Sequence, residues 1–142
     1  MPLLPRKSIL AITAVIDIAL NSRGRPVAAK ALATRHSLPP RHLEPVLQAL
    51  VRDGILKGVR GPRGGYELAR DRRRITAEDI LRAAGSADEV DGVPHANSAL
   101  LSKVVLPALG QAEHAFSEAL ARINVEDLAE SAEELRKRSR EN

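Results

Sequence analysis

Apolar residues recur at helical intervals in the first third of the chain. The first stretch predicts a helix from about Arg6 to Leu20, which the turn-forming residues 21–24 end. Its predicted core-facing stripe consists of Ile9, Ile12, Ile16 and Leu20. A second, short helix is expected near Val27–Arg35, followed by a tight connection at residues 36–39.

A third stripe predicts a helix that starts near Pro40. The stripe consists of Leu43, Val46, Leu47, Leu50 and Val51. A proline in the first turn is favourable, because its missing N–H would have no partner there. Pro45 lies deeper, where a proline removes a backbone hydrogen bond and bends the helix. Two starts are therefore open at this stage, Pro40 and a position nearer Glu44.

Two short strands follow, Gly54–Arg60 and Tyr66–Ala69, and glycine-rich residues 61–65 join them. Three helices and then a basic hairpin, called the wing below, are the layout of a winged helix–turn–helix domain. Thr76 is suited to cap the next helix.

A long helix is predicted over Ser98–Ile123, and a last helix opens at Asn124 and frays over residues 136–142. The expected class is mainly α with a small β-hairpin. The winged domain would occupy residues 1–85, a polar loop residues 86–97, and a dimerisation helix with a C-terminal helix residues 98–142.

Apolar residues in the long helix alternate at spacings of four and three, which is the pattern of a coiled-coil seam. The seam consists of Val105, Leu109, Ala112, Phe116, Ala119 and Ile123. One chain offers too little surface to cover it, so the seam predicts a homodimer. Pro107 is expected to kink this helix or to split off its first turns.

Charge is unevenly distributed along the chain. Residues 1–74 hold 15 Lys/Arg against 5 Asp/Glu, whereas residues 75–142 hold 7 against 13. A basic first half favours a polyanionic partner. Tyr66 and Phe116 are the only aromatic residues, which argues against a stacking platform for single strands and leaves double-stranded DNA as the expected partner.

The run Ser8–Leu20 follows two basic residues, as in a signal peptide, but it contains Asp17 and lacks a cleavage site after it. It is also too short to span a membrane. We expect a cytoplasmic protein with no membrane association. The 142 residues contain no cysteine, so neither disulfides nor thiolate-bound metals are expected.

The start of the third helix and the wing are the predicted DNA contacts. They comprise Pro39, Pro40, Arg41, His42, Glu44, Gln48, Arg60, Gly61, Pro62, Arg63, Gly64, Gly65 and Tyr66. Arg41 can donate two hydrogen bonds to guanine, and Glu44 can accept one from cytosine. Ordinary solvated surface is the alternative for Glu44 and His42. Arg70 and Arg72–Arg74 would extend the basic patch and attract DNA without sequence preference.

These residues resemble a known family. The segments 43–44, 46–50, 54–56 and 75–84, and above all Val59-Arg60-Gly61-Pro62-Arg63-Gly64-Gly65-Tyr66-Glu67-Leu68-Ala69, are similar to the Rrf2 family of bacterial regulators. The resemblance covers about Ser8–Gly85, and extends to Ile123 by pattern only. It implies a dimer crossed through the long helix on a palindromic site. It also implies that Glu44 matches the family's cytosine-reading glutamate and Arg60 its wing arginine.

The chain departs from this family in the loop before the long helix. Sensor members hold an iron–sulfur cluster there with three cysteines, whereas Asp88–His95 contains none. We therefore expect no cofactor. One histidine and three carboxylates leave a divalent metal open as a weaker alternative, against a plain solvated loop.

No catalytic constellation is recognisable, since the four histidines show no suggestive spacing. We expect a DNA-binding regulator that represses transcription. The alternative is a winged module that acts mainly through a partner protein, although seven Lys/Arg between Lys57 and Arg74 argue against it. An effector, either a small molecule or a protein, stays open.

Overall fold

The computed structural model describes residues 6–85, 99–100, 103–104 and 106–141. Its elements are α1 (Arg6–Asn21), α2 (Ala29–Arg35), α3 (Pro40–Arg52), β1 (Leu56–Val59), β2 (Gly65–Leu68), a 3-10 turn (Arg72–Arg74), α4 (Ala77–Gly85), α5 (Leu106–Ala121) and α6 (Val125–Glu141). The predicted mainly α class with a small hairpin is confirmed. No helix in the described ranges is long and apolar enough to cross a membrane.

One aliphatic core joins α1, α2, α3 and α4 to the base of the hairpin. Its largest fully buried side chains are Ile18, Leu32, Leu43, Leu47, Leu50, Ile55, Leu56, Ile75 and Ile80. Val125, the first residue of α6, is buried in the same cluster. The last helix therefore packs on the winged domain rather than apart from it.

The face of α1 that enters this core is not the predicted one. Ala11, Ala14 and Ile18 are buried, whereas Ile9 is 43% exposed. The other predicted stripe residues, Ile12, Ile16 and Leu20, are only partly buried. Small alanines allow α4 and α3 to pack closely against α1, and this leaves the more strongly apolar face turned outward.

Helix α3 begins at Pro40, with Pro39 as the residue before it. The alternative start nearer Glu44 is therefore wrong. Pro45 lies inside the helix, and the helix continues through it. Pro45 cannot donate to the carbonyl of Arg41, but both residues are exposed, so water can satisfy that carbonyl.

The hairpin follows directly from the end of α3. Gly54 has a positive φ of 76° and closes the helix. β1 and β2 are antiparallel, with Leu56 opposite Leu68 and Val59 opposite Gly65. Both strands are found where the sequence predicts them, but β1 is shorter than the predicted Gly54–Arg60.

Helices α4 and α6 begin with side-chain caps and meet through a short backbone bridge. The hydroxyl of Thr76 accepts from the N–H of Asp79 at 3.1 Å, and the carboxylate of Asp79 accepts from the N–H of Thr76 at 3.0 Å. Asn124 caps α6 by accepting from the N–H of Asp127 at 2.9 Å. Thr76 and Asn124 also form an isolated antiparallel bridge.

Two expectations for the second half change. Pro107 lies in the first turn of α5, which agrees with a split rather than a kink, although residues 98–105 are only partly described. The predicted fraying after Arg136 is wrong, because α6 continues to Glu141. Charge complements the dipole of α6, since Glu126 lies in its first turn and Arg140 in its last.

Candidate DNA-binding surface

The start of α3 presents polar side chains outward because its apolar positions are fixed in the core. Leu43, Val46 and Leu47 are buried. The predicted DNA contacts on this segment, Pro39, Pro40, Arg41, His42, Glu44 and Gln48, are all exposed. Helical periodicity thus forces one face of α3 inward and leaves the other free to enter a groove.

The turn before α3 is held by a buried carboxylate on α1. Asp17 is 6% exposed and accepts from Arg35 twice, at 2.9 Å to Nε and 2.6 Å to Nη2. The Nε2 atom of His36 lies 2.7 Å from the same carboxylate, and the amide of Asn21 donates to it at 3.1 Å. Ser37 follows with a positive φ of 53°. The network therefore ties α1 to the start of the turn that orients α3.

Burial of Asp17 acts to raise its pKa, because a low-dielectric site disfavours the charged carboxylate. Hydrogen bonds from Arg35, His36 and Asn21 act the other way and outweigh it. The pKa of Asp17 is consequently lowered, and the carboxylate is ionised at neutral pH. Asp17 interrupts the apolar run in the sequence, but nothing in the sequence identifies its partners 18 and 19 residues away.

Two of the wing glycines are required by close backbone approaches. A Cβ at Gly64 would lie 2.1 Å from the carbonyl oxygen of Val59, and one at Gly65 would lie 2.4 Å from that of Val27. Gly61 has a positive φ of 115°, which side chains rarely tolerate. The glycines thus shape the wing tip, and the same lack of side chains would let its backbone approach a duplex.

The wing is anchored at two points. Tyr66 exchanges two backbone hydrogen bonds of 2.8 Å with Val27, just before α2. The amide of Gln48 on α3 donates to the hydroxyl of Tyr66 at 3.4 Å. A cavity of about 360 Å³ lies between α3 and the wing, lined by Gln48, Val59, Arg60 and Tyr66 among others. The wing and the exposed face of α3 therefore border one surface.

The arginines of the hairpin region fall into two groups. Arg60, Pro62 and Arg63 are exposed at the wing tip. Arg72 instead donates to Glu126 on α6 at 2.8 and 3.2 Å. The guanidinium of Arg72 lowers the pKa of Glu126, so this charge is already compensated. The expectation that Arg72 serves non-specific attraction is therefore not supported by its position.

Arg73 is also engaged, with the carboxylate of Asp71. The hydrogen bonds from Arg73 hold the pKa of Asp71 at about 2. Arg70 lies 4.0 Å from Asp79. The basic patch is thus concentrated at the wing tip and the start of α3, and is narrower than the sequence suggests.

The predicted dimer seam lies largely on the surface of the single chain. Ala112 and Ala119 are exposed, Phe116 is half-buried and Ile123 is 40% exposed. Val105 and the side chain of Leu109 lie outside the described residues. From Pro107 to Ala119 no described side chain is buried, so this helix lacks a cover within its own chain.

The loop 86–97, including Asp88–His95, lies outside the described residues. Within the described ranges no group of three His, Asp or Glu residues could hold a metal ion. Without a cysteine in the 142 residues, the chain cannot supply the thiolates of an iron–sulfur cluster. The residues present do not fit such a group.

Comparison with known proteins matches residues 4–131 to the Rrf2 family, described as an iron-dependent transcriptional regulator. The chain is 36% identical over 80 residues to the regulator IscR of Xenorhabdus nematophila, covering 56% of this chain and 49% of that protein. The aligned region thus spans about half the length of that curated relative.

Two solved structures share the fold. IscR of T. potens superposes with a TM-score of 0.71 at 29% identity, covering 93% of this chain and 89% of that one. CymR, the global cysteine regulator of B. subtilis, gives 0.71 at 27% identity, covering 92% and 98%.

Proposed function

Since this chain belongs to the Rrf2 family of DNA-binding transcriptional regulators, which are not enzymes, we propose that it is a sequence-specific repressor. It binds a palindromic operator as a homodimer in the cytoplasm. The observation that carries this proposal is the shared surface of α3 and the wing, which the Gln48–Tyr66 contact joins.

Within that surface the residues divide by role. Arg41 and Glu44 are exposed in the first two turns of α3, where a recognition helix meets base edges in the major groove. Arg60 and Arg63 on the wing suit a narrow, electronegative minor groove. Phosphate contacts by the wing position the domain, and base contacts by α3 specify the sequence.

The homodimer is supported by the uncovered helix α5. Its described side chains between Pro107 and Ala119 are exposed or half-buried, and Phe116 is among them. A second copy is the simplest cover, because a two-fold pair matches each seam with an identical one. Two winged domains then face two half-sites of one operator.

Binding does not depend on an iron–sulfur cluster in this proposal, because no thiolate exists to hold one. Purified protein should therefore bind DNA without stoichiometric iron. A brown preparation with cluster absorption and DNA binding lost on iron removal would contradict this.

The direct test is an electrophoretic shift assay with the DNA upstream of the protein's own gene. We expect a discrete complex that a specific competitor removes and a random competitor does not. A protein that binds no duplex, but retains a partner protein through the wing, would favour the alternative of a protein-interaction module.

Base reading is tested by selection from random duplexes with wild type and Glu44→Ala. Loss of a well-formed bond to cytosine costs about 1–3 kcal/mol of discrimination at one base pair per half-site. Overall affinity should hold or rise, because a carboxylate beside DNA is removed. The same motif with the same sharpness would show that Glu44 is ordinary surface and move base reading to Arg41, His42 or Gln48.

A further inference from the structure

The outward face of α1 forms an apolar groove. Two adjoining cavities of about 820 and 520 Å³ run along this helix and share Thr13 and His36. Ile9 lines the first cavity, and Ile12 and Ile16 line the second. This is the isoleucine stripe that the sequence places in the core and that the fold leaves uncovered.

The groove extends to both ends of the winged domain. Its first cavity is walled by α3, through Pro45 and Val46. Its second cavity is walled by α6, through Leu128 and Ala132. Whatever occupies the groove therefore contacts the recognition helix as well as α1.

Helix α5 has the dimensions to fill it. Both α1 and α5 contain 16 residues, so each is about 24 Å long. An apolar strip on one helix and an apolar groove of the same length are left uncovered in the same chain. Each would satisfy the other in a pair of chains.

Charge on the two surfaces is opposite in sign. The cavities are lined by five arginine or lysine side chains, which are Arg6, Lys7, Arg35, Arg41 and Arg136. Asp17 is the one carboxylate among the described lining residues, and Arg35 neutralises it. Helix α5 carries Glu113 and Glu118 and no lysine or arginine. Glu118 also lies 3.1 Å from His114 in the next turn back.

We propose that the α1 groove receives helix α5 of a second copy of this chain, reciprocally, so that each α5 lies on the partner's winged domain. This rests on the proposed homodimer and specifies its contact. Because Arg41, His42 and Pro45 line the groove, the partner's α5 braces the first turns of the recognition helix. Dimerisation and operator reading are then coupled through one surface.

The charge pattern gives a test whose sign separates this arrangement from a seam of α5 against α5. The variant carries Glu113→Gln and Glu118→Gln together, which keeps side-chain shape. In the groove arrangement the substitutions remove attraction, and the dimer dissociation constant should rise by about 3- to 10-fold. In a seam of two acidic helices they would remove repulsion, so an unchanged or lower constant by sedimentation would overturn the proposal.

Ile9→Asp tests the groove itself, because Ile9 is already 43% exposed and the folded chain tolerates a polar residue there. Its dimer should weaken by about 10-fold or more, since a carboxylate would be desolvated against α5. Leu135→Asp on α6 is the matched control. Leu135 is 66% exposed and does not line either cavity, so that variant should dimerise like wild type.

The absence of native cysteines allows cross-linking at chosen sites. Cysteine is placed singly at Ile9, Ile12 or Ile16 in one preparation and at Ala112, Phe116 or Ala119 in a second, size-tagged preparation. After mixing and exchange, a short bis-maleimide should join at least one of the nine mixed pairs. Cross-links between two chains that both carry Phe116→Cys, with none in the mixed pairs, would overturn the proposal.

These results also separate the two proposals. A wild type that is monomeric at micromolar concentration contradicts both the homodimer and the groove. A dimeric wild type that Phe116→Asp dissociates, but Ile9→Asp does not, leaves the homodimer standing and removes only the groove.

Discussion

The amide of Gln48 on α3 lies 3.4 Å from the hydroxyl of Tyr66 on β2, so the recognition helix and the wing are in direct contact. A long hydrogen bond of this kind contributes little alone, but it fixes the angle between two DNA-contacting elements. We expect Tyr66→Phe to weaken operator binding by about 2- to 5-fold, from the roughly 0.5–1 kcal/mol that such a bond is worth.

A double-mutant cycle by fluorescence anisotropy checks this coupling. Gln48→Ala should cost more than Tyr66→Phe, because Gln48 is also proposed to contact DNA. Adding Tyr66→Phe to Gln48→Ala should cost nothing further. Additive losses would mean that the two side chains act independently.

The wing arginines and Arg72 should differ in how they respond to salt. Arg60→Ala or Arg63→Ala should weaken binding to all sequences and reduce the slope of log affinity against log salt by about one. Arg72→Ala should leave that slope unchanged, because its guanidinium is held by Glu126.

The same three variants should separate in thermal unfolding. Arg72→Ala should lower the melting temperature, because it breaks the contact between the 3-10 turn and α6. Arg60→Ala and Arg63→Ala should leave it near wild type, since both side chains are exposed. A reduced salt slope for Arg72→Ala at wild-type stability would show that it contacts DNA.

Gly64 should tolerate no side chain, whereas Gly58 should tolerate one. A Cβ at Gly64 would overlap the carbonyl of Val59, and a Cβ at Gly58 meets nothing within 4 Å. We expect Gly64→Ala to destabilise the fold by about 1–3 kcal/mol through backbone displacement and to weaken DNA binding at least 10-fold. Gly58→Ala serves as the control in urea unfolding and gel shift. Equal behaviour of the two variants would refute this account of the wing.

Asp17 should make stability depend on pH in the acid range. Its pKa is lowered by folding, so its ionised form stabilises the fold above the unfolded pKa of about 3.9. That contribution is lost as pH falls through the lower folded pKa. Wild type should therefore lose free energy of unfolding as the pH is lowered below about 4.

Asp17→Asn should be less stable than wild type at pH 7 by ~2 kcal/mol, because the partly exposed Arg35 can regain water and limits the loss. Its stability should also vary less between pH 5 and pH 3. Asp53→Asn, at an exposed position after α3, is the matched control in urea titrations. A parallel acid dependence in Asp17→Asn would show that other carboxylates dominate.

Local sequence determined the elements and the family. Periodicity gave α1, α3 and the hairpin because a buried stripe repeats at the helix or strand interval whatever packs on it. The wing string around Gly64 and Gly65 was specific because backbone contacts at those positions exclude any side chain. The caps at Thr76 and Asn124 were readable because their partners lie only three residues away.

Tertiary structure alone decided which surfaces face inward and which charges are free. The isoleucine stripe of α1 predicted a buried face, but alanines on the opposite face allow closer packing and take that place. The pairing of Asp17 with Arg35 and of Arg72 with Glu126 spans 18 and 54 residues. Only the folded chain brings such groups together, because an ion pair depends on distance in space and leaves no period in the sequence.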